Sequence, residues 1–437
     1  MSDRESWSGK FGFVVATVGA AIGLGNLWMF PWRLGMYGGA AFLIPYLLFI
    51  FGLAVVGLMG EFGLGRSQQK GPLGAFEGVF KEKNMKGGAW VGAIPWLGTT
   101  GVFIFYMIVV GWVIRYVVLA FEGFKKFENI PAVFGGFVGH PTAVIWHAIA
   151  IIVTTLIVLI GVQKGIEKAN KYMIPLLFVL LAVLLVRSLT LPNAGKGLAF
   201  LFVPKWSKLL RADTWVMALG QAFFTVSLGG AGMVVYGSYL KKDVDIPSSA
   251  LNTAIYDTIA SFLAALVIMP AVFSFGLDPA AGPPLLFITL PSIFNEMSAG
   301  YIFGIIFFVA VFFAALSTSI ALMEVAVEAL MDRLKWKRSV SAIVVAIAAF
   351  LIGLPLTLKM EWFGKFANFV TIYLVPIGAL LAAITFFWIY GIDRAHKEVN
   401  TGAKKPVGNW WKFYARYIFV IATLIVVILG IVYKGIG

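Results

Sequence analysis

Eleven apolar stretches, each long enough to cross a lipid bilayer, constrain this chain more than any other feature. They lie at roughly 11–35, 40–65, 94–121, 142–162, 172–190, 214–240, 247–275, 300–331, 339–357, 366–390 and 413–433, and are called the first to eleventh spans. A helical crossing needs about 20 residues, because each adds about 1.5 Å through about 30 Å of hydrocarbon. Hydrophobic residues make up 60% of the chain and charged residues 12%, too much apolar surface for a soluble domain to hide. The absence of cysteine excludes disulfides, thiolate nucleophiles and thiolate metal sites. Three scattered histidines, His140, His147 and His396, do not suggest a metal cluster. The reading is an all-α polytopic membrane protein of one transmembrane domain over residues 1–437.

The net charge of +14 raises nucleic acid as a partner, but the placement of that charge argues otherwise. Alternate loops, together with Arg4 and Lys10 of the N-terminal segment, carry 22 of the 34 basic residues, among them Arg66, Lys164, Lys241, Arg333 and Arg394. The positive-inside rule puts that side in the cytoplasm and, with eleven spans, the C-terminus outside. The expectation is a multi-pass protein of the cell membrane, in contact with lipid and not with nucleic acid. The opening Met1–Lys10 carries both signs of charge and no small-residue cleavage site follows, so the first span reads as retained.

Two spans look interrupted. The first contains Gly19-Ala20-Ala21-Ile22-Gly23-Leu24-Gly25-Asn26, and the sixth contains Ser227-Leu228-Gly229-Gly230-Ala231-Gly232. Each glycine lowers helix stability by about 1 kcal/mol against alanine. Unwound backbone at membrane depth is tolerated only around a cavity or ligand, although close helix packing also uses glycine. The breaks fall at corresponding positions if spans one to five and six to ten form two repeats, at about 10–190 and 213–390, with an extra helix at about 413–433. Five is odd, so the second repeat lies inverted. This 5+5 inverted repeat is a transporter architecture, with half-helix ends facing ions and substrate near the midplane.

The motifs behind the breaks are Gly23-Leu24-Gly25-Asn26, Phe30-Pro31, Gly38–Tyr46 (GGAAFLIPY), Glu61 with Gly65-Arg66, Gln221–Gly229 (QAFFTVSLG), Gly282–Pro291 (GPPLLFITLP) and Ala314–Ser319 (AALSTS). Through their order and spacing, from Trp7 to about Trp388, the chain resembles the prokaryotic neurotransmitter:sodium symporters, sodium-coupled amino acid transporters of the eleven-span bacterial subgroup. Transporters of that family are themselves a type example of the inverted, broken-helix architecture.

The resemblance implies two sodium ions and no organic cofactor. The first ion would be held by the Ala21 carbonyl, Asn26, Thr225 and Asp257, with the substrate carboxylate. The second would be held by the Gly19, Ile22 and Ala314 carbonyls and the Ser317 and Thr318 hydroxyls. Oxygen ligands suit a hard cation. Many relatives carry asparagine at Asp257 and need chloride, so the fixed carboxylate implies chloride independence, although Tyr46, Gln221, Thr225 and Ser261 match chloride positions.

For the substrate, the resemblance implies Ala21 beside it, Leu24 and Gly25 amides with Tyr106 at the carboxylate, and Ala20, Phe224, Thr225 and Ser227 oxygens at the ammonium. Its side chain would meet Val102, Tyr106, Phe224, Gly230, Thr318 and Leu322, with Gly230 leaving room where some relatives carry an aromatic residue. None is charged, which implies a neutral, hydrophobic amino acid, branched or aromatic. Glu61 would brace the sixth-span break, and Gly165 with Pro175 would let the fifth span unwind.

Arg4, Trp7, Ser238, Tyr239 and Asp332 match the inner gate. The outer gate departs from the family, with Met29 in place of an arginine and Ala367 or Asn368 in place of its acidic partner; Arg33 either substitutes or faces external water. The expected function is sodium-coupled symport by alternating access, not enzyme catalysis. A proton-coupled carrier of the same fold and an ion channel are the alternatives.

Overall fold

The computed structural model describes residues 5–435, and within them the chain is helical, without strands. Among the described residues, nine continuous apolar helices are long enough to cross a membrane: Ala40–Gln68, Gly88–Glu122, Thr142–Leu159, Val162–Leu189, Ile246–Ser274, Gly300–Leu334, Arg338–Leu358, Met360–Asn400 and Trp410–Val432. Two further helix pairs are broken, and the first of them makes a tenth apolar crossing. Lys10–Ala21 and Gly25–Met36 meet at a bend of 50°. Ala212–Thr225 and Gly232–Ser238 are separated by unwound residues 226–231.

These helices and helix pairs fall on the eleven apolar stretches read from the sequence, but several run past those boundaries. The third begins at Gly88, the fifth at Val162, and the tenth covers 360–400. Hydropathy registers only the length immersed in hydrocarbon, whereas backbone hydrogen bonding carries a helix on into water. Shorter helices decorate both ends. Pro72–Glu82 packs on the third span, while Leu285–Glu296 lies against the start of the eighth.

The first half of the first span packs against the fifth, seventh and eighth, and the second half of the sixth packs on the second. The two breaks therefore meet inside a ring of continuous helices. The sixth break is fixed by backbone contact. Gly230 has φ +78°, and a Cβ there would strike the Gly378 carbonyl of the tenth span and Pro95 of the third. Gly378 reciprocally meets the Gly229 carbonyl. Only glycine allows that left-handed turn at this approach distance.

Candidate functional site

A break in a buried helix frees peptide groups that need partners. In the first span, Ile22 turns extended and the amides beyond it are taken up by side chains: Gly23 N donates to Asn26 Oδ1 at 2.9 Å and Leu24 N to Tyr106 Oη at 3.2 Å. The freed carbonyls face hydroxyls. Ser227 donates to Ala20 O at 3.0 Å, while Ser317 and Thr318 each lie 3.2 Å from Ile22 O. In the sixth span, Glu61 Oε1 accepts from the Gly229 and Gly230 amides at 3.1 and 2.8 Å.

Two oxygen-rich clusters flank the first break. In one, Asn26 Nδ2 lies 2.7 Å from Asp257 Oδ1, 2.8 Å from Ser261 Oγ, 3.0 Å from Thr225 Oγ1 and 3.2 Å from Asp257 O. One amide group has two hydrogens for these four oxygens, so the donor set fits a cation better than it fits the amide. Asp257 is fully buried, and its Oδ2 accepts from Thr225 at 3.0 Å. Tyr46 brings its hydroxyl beside the same carboxylate. Gln221 instead turns to the Gly25 carbonyl at 3.1 Å. The second cluster joins Ile22 O, Ala314 O, Ser317 Oγ and Thr318 Oγ1, with neighbours 3.0–3.2 Å apart and no carboxylate, a set suited to a monovalent ion. Gly19 packs against Asn170 of the fifth span.

Beside the first break lies a cavity of about 90 Å³, several times what one water needs. Eleven of the twelve residues expected around a substrate line it: Ala20, Ala21, Leu24 and Gly25 from the first break, Val102 and Tyr106 from the third span, Phe224, Thr225 and Ser227 from the sixth, and Thr318 and Leu322 from the eighth. Gly230 is the exception. Its missing side chain makes room for the tenth-span backbone, not for a ligand, because the positive φ turns its Cβ direction toward Gly378. The open position is Gly232, where a Cβ would meet nothing within 4 Å. The sequence reading also missed Thr99, Phe105 and Val375. Thr99 was legible, since it sits one turn before Val102 on the face that carries Tyr106.

On the side where the chain begins, Trp7 Nε1 donates to Tyr236 O at 2.9 Å and its ring packs on Tyr236 and Tyr239. Tyr239 donates to Glu324 Oε1 at 2.6 Å, and Arg338 bridges Glu324 and Glu5 at 2.6 and 2.8 Å. Glu5, Glu324 and Arg338 were not anticipated, having no local pattern to mark them. Arg4 lies outside the described residues. Asp332 pairs with Lys335 at 3.4 Å, and Ser238 Oγ donates to its own helix at Val235 O. The fifth span is wound from Val162, with Gly165 pressed on the Ile157 carbonyl and Pro175 inside the helix.

The opposite side is closed by rings. Phe287, 1% exposed, stacks on Phe134 at 5.3 Å and meets the edges or faces of Tyr116, Trp28 and Trp112 at 5.1, 5.6 and 5.9 Å. Trp28 Nε1 donates to Pro283 O at 2.9 Å, tying the short helix to the first span. Arg33 is buried, its guanidinium 5.3 Å from the Trp32 ring, so it does not point into external water.

Comparison with known proteins places this geometry in a group. The model of the sodium:neurotransmitter symporter family matches residues 4–131 and 136–435. The chain is similar to the sodium-dependent transporter YhdH of Bacillus subtilis, with 36% identity over 98% of each chain. It is also similar to the sodium-dependent transporter MJ1319 of Methanocaldococcus jannaschii, at 32% over 98% of this chain and 90% of the other. Among solved structures it resembles MhsT in complex with L-phenylalanine, with TM-score 0.88 and 36% identity over 98% of this chain and 100% of that one.

Proposed function

Because the chain belongs to the sodium:neurotransmitter symporter family, and is therefore a multi-pass sodium-dependent transporter, we propose that it imports a neutral amino acid with a branched or aromatic side chain by alternating access. The observation that carries this reading is the cavity between the two breaks. Peptide groups and the hydroxyls of Tyr106, Thr225, Ser227 and Thr318 suit a zwitterion at one end, and Val102, Phe105, Leu322 and Val375 offer no partner for a charged side chain at the other. The phenylalanine bound by MhsT supports the aromatic choice.

Two sodium ions fit the oxygen clusters. The first uses the Ala21 carbonyl, Asn26, Thr225 and Asp257, and the second uses the Gly19, Ile22 and Ala314 carbonyls with Ser317 and Thr318. Asp257 supplies the negative charge that chloride supplies elsewhere, so transport proceeds without chloride. With the N-terminal side cytoplasmic, two charges entering across 100 mV release about 5 kcal/mol, enough for more than a thousandfold substrate gradient.

The test is purified protein in liposomes with an inward sodium gradient, competed by each of the twenty amino acids. Leucine, isoleucine, phenylalanine or tryptophan should compete, and lysine and glutamate should not; effective competition by a charged amino acid rejects the pocket. In the same assay Gly232→Phe should lower uptake of the aromatic substrates at least tenfold more than that of alanine, since its ring would occupy the open space. Equal losses would remove Gly232 from the pocket.

The aromatic closure around Phe287 takes the place of the missing outer ion pair. Phe287→Ala should leave the outer path open, because truncating a buried phenylalanine costs about 3 kcal/mol in the closed form. The chain has no cysteine, so a single Phe105→Cys reporter can be labelled selectively from outside. Labelling should quicken tenfold or more in the Phe287→Ala background. It should also stay nearly constant between low and high salt, whereas gating by exposed charges would follow ionic strength.

A further inference from the structure

Asn170 of the fifth span is fully buried and outside both proposed sodium sites. Its Nδ2 donates to Ile166 O at 2.9 Å, which fixes the amide, and its Oδ1 has no hydrogen-bond partner. That oxygen faces Gly19 so closely that a methyl group at position 19 would collide with the amide. A buried polar atom without a partner costs about 1–3 kcal/mol, which a better-packed apolar residue would avoid. One turn toward the N-terminal side, Glu167 presents its carboxylate along the same flank of the first span, against Gly12. The carboxylate is 1% exposed, accepting from Ser8 N at 2.9 Å and pairing with Lys171 at 2.7 Å. Asn170 and Glu167 thus form a row of oxygens beside the first span, from the level of Gly19 to that of Gly12. Asn170 also stands midway between Gly165 and Pro175, where the fifth span is weakest.

We propose that Asn170 Oδ1 is the first oxygen met by a sodium ion leaving the second site toward the cytoplasm, with the Glu167 carboxylate next. This rests on the reading of Gly19, Ile22, Ala314, Ser317 and Thr318 as that site. An ion stripped of its ligands between apolar helices faces a desolvation cost of several kcal/mol, and a side-chain oxygen beside Gly19 replaces the carbonyl being left. Asn170 is then a positioning residue for ion release, not a ligand of the resting site.

The test compares Asn170→Thr with Asn170→Val, side chains of one shape that differ by an oxygen. In liposomes, net sodium-driven uptake should stay within about threefold of the parent for Asn170→Thr and fall about tenfold for Asn170→Val. Amino acid exchange with saturating sodium on both sides, which does not require net sodium release, should be unchanged in both, as should the external sodium concentration for half-maximal binding. Equal rates for the two variants, or parallel loss of exchange and net uptake, would overturn the proposal. Should Asn170→Val fail to fold, Asn170→Ala against Asn170→Ser asks the same question. A Ser317→Ala variant with unaltered sodium dependence would instead reject the second site itself, a failure separate from that of Asn170.

Discussion

Replacing Asp257 by asparagine is expected to lower sodium-driven uptake at least a hundredfold in chloride-free medium. The substitution keeps the shape and removes the one charge in a fully buried cluster whose other members, Asn26, Thr225 and Ser261, are neutral. Taking away one partner of a buried charge pair costs about 3–5 kcal/mol, since the remaining ion stays desolvated. Chloride should restore part of the activity, because Tyr46, Thr225 and Ser261 still surround the place where an anion can stand in for the carboxylate. The measurement is initial uptake with chloride exchanged for gluconate. Undiminished uptake in Asp257→Asn would remove the carboxylate from sodium coordination, and parent activity that requires chloride would end the claim of independence.

Glu61→Ala should abolish substrate binding, with affinity falling a hundredfold or more. Glu61 Oε1 holds the amides of Gly229 and Gly230 inside the sixth break, and nothing in the membrane interior replaces it. Each unpaired amide costs about 1–3 kcal/mol, so the unwound segment loses the conformation that presents Ser227 to Ala20 O. Glu61→Gln keeps an acceptor oxygen and should retain binding within about tenfold. Equilibrium binding of radiolabelled substrate in detergent, with thermal stability alongside, separates the two variants. Similar losses in both would assign the role to the charge instead of the hydrogen bonds, and intact binding in Glu61→Ala would show that the break supports itself.

Much of this was readable residue by residue. The pairing of glycine clusters in the first and sixth spans marked both breaks, and the motifs around Asn26, Glu61, Asp257 and Ser317 marked the groups that the fold gathers there. Gly230 shows the limit. Its position in the motif suggested space for a ligand, but its φ of +78° sends the Cβ direction into Gly378, and the space belongs to Gly232 two residues later. No local pattern distinguishes the two glycines, since the difference lies in backbone dihedrals set by contact with a distant helix. Phe287 and Arg338 teach the same point: one phenylalanine among 39 and one basic residue among 34 enter a ring cluster and an ion-pair network only through partners more than a hundred residues away, Tyr116 and Trp28 for the first, Glu5 for the second.

By itself the sequence determined the crossings and their interruptions. Hydrocarbon requires each crossing to be long, apolar and internally hydrogen-bonded, and glycine weakens a helix wherever it clusters; both are local effects, written in consecutive residues. Which oxygens face one another across the breaks, which glycine borders the cavity, and how the rings gather around Phe287 while Glu324 and Arg338 pair on the other side were decided by the tertiary structure. These depend on distances between helices remote in the chain and on the directions in which the turns between them aim each side chain.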